Sequence, residues 1–151
     1  HKLVKSMMVP GAEGGILINT PEGLPWIEEY PGAKPSYVLN GYIFCIISLL
    51  EYEVLYPNIQ ISHFIDRLLD SLVRSFPYYQ RGKYLKYSRL YPTLSNIEYQ
   101  GLYIGQFKHL YLLTGLEIFS QLAELYNSRI SWVAFNEFFQ ITSPALQNKP
   151  A

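Results

Sequence analysis

Apolar positions along the chain change period several times, and each change marks an element. Residues 36–55, SYVLNGYIFCIISLLEYEVL, are apolar on nearly every side, which predicts a helix buried on most of its surface. Gly41 within it lowers helix propensity and permits close backbone packing. The next stretch opens with Asn58 as an N-cap and continues with Ile61, Phe64, Ile65, Leu68, Leu69 and Leu72 at helical spacing. His63, Arg67, Asp70 and Arg74 form its solvated face, with Asp70 and Arg74 spaced for an i,i+4 pair.

Residues 77–92, PYYQRGKYLKYSRLYP, break this rhythm. Prolines bracket them, Arg81-Gly82 supplies a turn, and tyrosines recur at short intervals, which predicts a β-hairpin between helices. Helical spacing returns over residues 97–113. Thr114-Gly115-Leu116-Glu117 then has the spacing of a capping box, opening a last helix through about residue 138. Ile118, Leu122, Leu125, Arg129 and Trp132 share one band of that helix, widened by Phe119, Tyr126, Ile130 and Val133. The final residues, ITSPALQNKPA, read as a fraying tail. At the other end HKLVKSMMVP reads as the end of an earlier helix, and GGILIN as a short strand whose available partner is the hairpin. Antiparallel helices with short connections indicate a mainly α fold: a bundle, or part of an α/α toroid of helical hairpins, with one inserted β-hairpin.

Composition narrows the function. Twelve Lys and Arg balance twelve Asp and Glu without a block of like charge, which argues against a nucleic-acid partner. Only 16% of residues are charged, against about 25% in an average globular chain, so a neighbouring domain is expected to cover part of the surface. The longest apolar run, residues 42–50, is too short to span a membrane, and the N-terminal residues carry no secretory pattern. Cys45, the single cysteine, reads as a small buried hydrophobe. His63 and His109 lack metal-ligand spacing, so no metal site is expected. Neither a nucleophile elbow nor a glycine-rich phosphate loop is present.

The chemically dense stretch is residues 24–44, LPWIEEYPGAKPSYVLNGYIF. Glu28-Glu29-Tyr30-Pro31 running into Ser36-Tyr37-Val38-Leu39-Asn40-Gly41 resembles the C-terminal helical domain of the D-glucuronyl C5-epimerases. Glu98-Tyr99 followed by Gln106 is similar to that family's acid-tyrosine pair ahead of its Gln-Leu helix, and the matching pieces run from about residue 20 to about 126. The resemblance implies an α/α toroid forming one wall of a polysaccharide cleft, a β-rich N-terminal domain forming the other, and cofactor-free inversion at C5 of a uronic acid unit. It implies Glu29, Tyr30, Tyr87 and Tyr99 as proton-handling groups. Arg89, Asn40, Glu98, Tyr103 and Gln106 would contact an anionic, uronate-containing polysaccharide, and a second copy of the chain is a further candidate partner.

Two departures stand out in the hairpin. No acid follows Tyr84 or Tyr87, and Leu90 stands where the family has histidine. Gln100 and Tyr103 also occupy family histidine positions. Tyr87 aligns with the family tyrosine because Tyr87 and Arg89, two apart, would share one face of a strand, with Tyr84 as the alternative register. These departures keep open a non-catalytic glycan-binding or interdomain packing module, and a polysaccharide lyase, which begins with the same C5 proton.

Removing that proton places charge on a carboxylate already negative, so two acid/base groups must flank the sugar while donors meet the carboxylate oxygens. Arginine suits the second task because its fork makes two bonds at once. Fourteen tyrosines ensure some chance proximity to acids. Asn40 could equally be a buried hydrogen-bonding residue, and the stripe of Tyr99, Tyr103 and Gln106 a core edge.

Overall fold

The computed structural model describes residues 2–91 and 93–142, with side chains for residues 4, 6–91 and 93–130. The tail from Ser143, Pro92, and the side chains of Trp132 and Val133 lie outside the described residues. Five helices carry the fold: α1 (Lys2–Met8), α2 (Leu39–Leu55), α3 (Ile59–Ser75), α4 (Ile97–Thr114) and α5 (Glu117–Thr142). Two small antiparallel hairpins complete it: β1 (Leu17–Asn19) with β2 (Pro25–Ile27), and β3 (Gln80–Arg81) with β4 (Tyr84–Leu85). The mainly α class with an inserted β-hairpin is as expected. Successive helices pair through short connections, α2 on α3 and α4 on α5, while α4 also packs along α2.

Local chemistry accounts for the boundaries. Asn58 caps α3, its side-chain oxygen accepting from Gln60 N at 2.9 Å and Ile61 N at 3.3 Å. The six apolar residues singled out on α3 are all buried, and Asp70 and Arg74 form their i,i+4 pair at 3.4 Å on the exposed face. Helix α2 begins at Leu39, three residues later than its apolar run, because the residues before it are held out of helical conformation, Tyr37 at positive φ and Val38 extended, by contacts described below.

Four expectations are revised. The strand near residue 17 pairs with Pro25–Ile27 and not with the second hairpin, in the register Ile18 opposite Trp26. No reciprocal capping box forms at Thr114. That residue ends α4, donating from Oγ1 to Leu110 O and accepting from Leu116 N, while Gly115 takes the left-handed conformation (φ 69°) that stops the helix. On α5 the buried band is Phe119, Leu122, Ala123 and Tyr126, so Ile118 and Leu125 lie at its exposed edge. The second hairpin is short. β4 stops at Leu85, so Tyr87 and Arg89 lie beyond the strand that was expected to align them.

Under the first hairpin lies an aromatic stack. Trp26, wholly buried, stacks on Tyr42 with ring centroids 3.7 Å apart and lies 5.9 Å from the near-parallel ring of Tyr79. Such contacts add to the area that these rings bury. The Tyr42 hydroxyl donates to Pro25 O and Leu68 O, and the Tyr79 hydroxyl donates to Tyr37 O at 2.7 Å, so these buried phenols are satisfied. The stack fixes β2 between α2 and α3, which sets where residue 28 emerges.

Candidate functional site

Beyond Ile27 the chain enters a connection of eleven residues, 28–38, that belongs to no helix or strand, and Glu28 organises it. Its side chain is buried and accepts from four donors: Tyr30 N at 3.2 Å, Ser36 N at 3.0 Å, Tyr37 N at 2.9 Å and Ser36 Oγ. A carboxylate of this kind replaces the missing ladder by satisfying amides that would otherwise be stranded. It also stabilises Tyr37 at φ 52°, the one non-glycine residue with a positive φ among those described. Tyr37 is thus clamped from both sides, its N–H by Glu28 and its carbonyl by the Tyr79 hydroxyl. The turn it makes aims the chain into α2.

The segment after β4 is tied to this connection. Tyr87 O accepts from Leu39 N, capping the first turn of α2 at 3.0 Å, and Val38 bridges Ser88. Gln100, fully buried in α4, clamps both roots of the segment: its Oε1 accepts from Leu85 N, and its Nε2 donates to Leu85 O and Ser95 O. Two connections and the start of α4 are thereby held around one corner of the molecule.

At that corner a cavity of about 390 Å³ is lined by Tyr87, Tyr91, Thr93, Leu94, Ser95, Asn96 and Tyr99. That volume lies within the usual range for small-ligand pockets. The rings of Tyr87 and Tyr99 meet edge to face, centroids 5.4 Å apart and planes at 81°, forming two perpendicular walls. Tyr30, 57% exposed, stands close enough to Tyr87 to help hold the proton on its phenol. Below them the Tyr103 hydroxyl lies 3.3 Å from Ser95 Oγ. A larger cavity of about 450 Å³ borders Glu28, but its other walls are glycine, alanine, proline and isoleucine, and the Glu28 oxygens are already committed.

Glu29 points elsewhere than Glu28. Its carboxyl group lies directly over Gly41, so close that a Cβ there would collide with it. Gly41 is thus met by a side-chain carboxyl and not by the neighbouring backbone that its place in the helix predicts. The negative charge reaches Tyr87, Tyr103 and Cys45. Burial chiefly pushes each of these three upward, Tyr103 to about 12 and Cys45 to about 11, and Glu29 adds to each. For Tyr87 the neighbouring Tyr30 ranks second, ahead of Glu29. Phenols in this setting keep their protons at neutral pH and act as donors. Beside Glu29, Gln106 Nε2 donates to Asn40 O at 2.9 Å, while Asn40 Oδ1 and Gln106 Oε1 are buried with no hydrogen-bond partner among the described residues.

The structure thus brings Glu29, Tyr30, Tyr87, Tyr99 and Tyr103 into one neighbourhood, with Asn40 and Gln106 along its floor. Glu98 is exposed in the first turn of α4. Arg89 belongs to a different set of contacts. Its guanidinium makes a bidentate pair with Glu22 at 2.8 and 2.9 Å, lies 4.0 Å from the centre of the Tyr78 ring, and lies 5.4 Å from that of Tyr37. None of these partners lines the tyrosine cavity. Glu22, Gln100 and Ser95 were not singled out by sequence reasoning. Gln100 was noted only as a departure from histidine, and no local pattern reveals a clamp whose partners are backbone atoms fifteen residues away.

Among the described residues no group of three or more His, Cys, Asp or Glu side chains could hold a metal ion, and no helix is long and apolar enough to cross a membrane. Comparison with known proteins gives a relative and a family. An uncharacterized protein of Methanocaldococcus jannaschii is 29% identical over 119 residues, covering 77% of this chain but 38% of that protein. The chain therefore spans less than two fifths of the length of that relative. The D-glucuronyl C5-epimerase C-terminus matches residues 1–128, which include every residue of the corner just described. With most of its length covered by that match, the chain belongs to the D-glucuronyl C5-epimerase C-terminal family.

Proposed function

We propose that this chain is the helical wall of a uronyl C5-epimerase, part of an α/α toroid that closes a polysaccharide cleft against a β-rich N-terminal domain. The observation that carries this reading is the meeting of Glu29 and Tyr30 from one connection, Tyr87 from another and Tyr99 from the first turn of α4 beside one tyrosine-lined cavity. In this reading Glu29, as carboxylate, removes the C5 proton from one face of the sugar. A tyrosine hydroxyl supplies a proton to the opposite face, so that one C–H bond breaks, another forms and no other atom changes place. Tyr87 suits the donor role because burial, the neighbouring Tyr30 and the nearby Glu29 charge all keep it protonated. The developing charge on the sugar carboxylate requires a cation or converging donors. Arg89 is the candidate, together with the exposed hydroxyls of Tyr30 and Tyr99. The substrate is an anionic polysaccharide containing uronate units, and the chemistry requires no cofactor.

A second reading is favoured by one contact: Arg89 is already paired to Glu22. A module that kept the toroid wall for glycan binding alone would tolerate that pairing indefinitely. One experiment separates these readings. The full-length protein, incubated with uronate-containing polysaccharide in deuterated water, is expected to incorporate deuterium at C5 without new ultraviolet absorbance. Absorbance from an unsaturated uronate would instead identify a lyase, and binding with neither change would leave only the glycan-binding module.

A further inference from the structure

The Arg89 site has the form of a carboxylate receptor that already holds a carboxylate. The guanidinium carbon lies 4.0 Å from the centre of the Tyr78 ring, with Tyr37 beside it, and both limbs of its fork are used by the two oxygens of Glu22. A guanidinium over an aromatic face with both limbs of its fork bonded is the arrangement by which arginine recognises a free carboxylate. Glu22 is remote from Arg89 in sequence, at the tip of the β1–β2 turn. That turn is closed on itself by Gly23 N donating to Thr20 O and by Leu24 N donating to Thr20 Oγ1.

The pair lies at the edge of the fold and not in its core. Arg89 is 12% and Glu22 30% exposed, so the acid is the more accessible partner. Beside it, Gly23 at φ 78° has no atom other than its chain neighbours within 4 Å of where a Cβ would stand. The pair is strong nonetheless. The bond from Arg89 holds the Glu22 carboxyl well below the usual carboxylate range, at about 2, so the site is charged and occupied at neutral pH. Arg89 is also two residues from Tyr87, which lines the tyrosine cavity.

We propose that Glu22 is an internal stand-in ligand: it occupies the Arg89 receptor when the cleft is empty, and the carboxylate of a bound uronate unit displaces it. The identity of the incoming carboxylate rests on the function proposed above, while the receptor and its occupant rest on the contacts alone. Exchange of one bidentate carboxylate for another costs little in hydrogen bonds, because the guanidinium is never left unpaired. Glu22 thereby weakens binding of every acidic ligand and leaves that of neutral sugars, which do not use the Arg89 fork, unchanged.

The test uses the full-length protein and two probes: an unsulfated uronate-containing oligosaccharide and its carboxyl-reduced counterpart, titrated calorimetrically at low salt. Glu22→Gln is expected to tighten the acidic oligosaccharide by roughly three- to tenfold, the scale of losing one partly exposed competing ion pair, and to leave the reduced one unchanged. In Arg89→Gln the preference for the acidic form disappears, and adding Glu22→Gln restores nothing. Unchanged or weaker binding of the acidic form by a folded Glu22→Gln protein overturns the proposal. So does an equal effect on both probes, although glycan binding would then survive. Where no oligosaccharide binds, the functional reading fails and the receptor is judged separately, with free glucuronate as the probe. Its addition to Glu22→Gln then shifts the Arg89 side-chain nitrogen resonance, and a resonance that stays still overturns the receptor as well. Should Glu22→Gln fail to fold, Glu22→Asp, whose shorter arm loosens the same pair, must shift affinity in the same direction.

Discussion

Glu28 and Glu29 are joined by one peptide bond and serve opposite ends. Glu28 is sealed beneath the loop with four donors on its oxygens, whereas Glu29 stands at the surface over Gly41 and projects its charge onto Tyr87 and Tyr103. The first carboxylate has exchanged water for amides and is committed to structure. The second is exposed to solvent and keeps a field directed at phenols, which is the condition under which a carboxylate can still accept a proton from a ligand. The difference lies in what each carboxylate meets: loop amides close over Glu28, while the bare Gly41 leaves room for Glu29 at the surface. It follows that a pair of adjacent acids can divide between building a site and working in it.

The largest effect that separates them is on stability. Glu28→Ala strands the amides of Tyr30, Ser36 and Tyr37 and removes the clamp on a positive-φ residue. We expect a loss of about 3 kcal/mol or more in urea unfolding, together with faster proteolysis within the connection. If stability is unchanged, water can replace the carboxylate and the structural role assigned to Glu28 fails.

Next comes activity. Glu29→Gln is expected to change stability by less than about 0.5 kcal/mol, as a surface substitution does, and to lower C5 deuterium exchange by about 10²-fold, the usual worth of a positioned general base. The same change withdraws negative charge from Tyr103, so this phenol, now pushed up to about 12, is expected to ionise at lower pH in an alkaline absorbance titration. The sign matters for stability as well. A phenol that holds its proton longer in the folded chain than at its unfolded value of about 10 stabilises the fold fully below that pH, and the contribution is lost as pH rises toward about 12.

The smallest and sharpest effect is that of Gly41→Ala. The added methyl collides with the Glu29 carboxyl, which is the end of a flexible side chain and can swing away, while the helix gains up to about 1 kcal/mol from losing a glycine. Net stability is therefore expected to stay within about 1 kcal/mol, while deuterium exchange falls about tenfold, in line with a reacting group displaced by an ångström or so. In a Glu29→Ala background the same substitution should cost no further activity. An additional loss there would show that Gly41 matters for some reason other than Glu29.

Much of this molecule could be read along the chain. The α3 stripe from Ile61 to Leu72, the Asn58 cap and the buried character of α2 follow from periodicity and side-chain chemistry, which are local properties. The motif around Glu28 to Gly41 likewise led to the family. Less could be read where partners are distant. The expected shared strand face of Tyr87 and Arg89 failed because β4 ends at Leu85, where Gln100 and Ser95 divert the chain. Thr114 lost its capping box to Gly115, since the left-handed turn that ends α4 took the residues such a box would use.

What the sequence by itself determined was the helical class, the main helix boundaries, the charge balance and the residue types available for proton transfer, because each depends on neighbours within a few positions. Only the tertiary structure decided that Glu28 is a scaffold while Glu29 stays exposed, that Tyr30 and Tyr87 from two connections adjoin Tyr99 of α4, and that Arg89 is held by Glu22. Those outcomes depend on which distant groups arrive first at a given donor or charge, and the order of residues along a chain does not encode that competition until the chain has closed on itself.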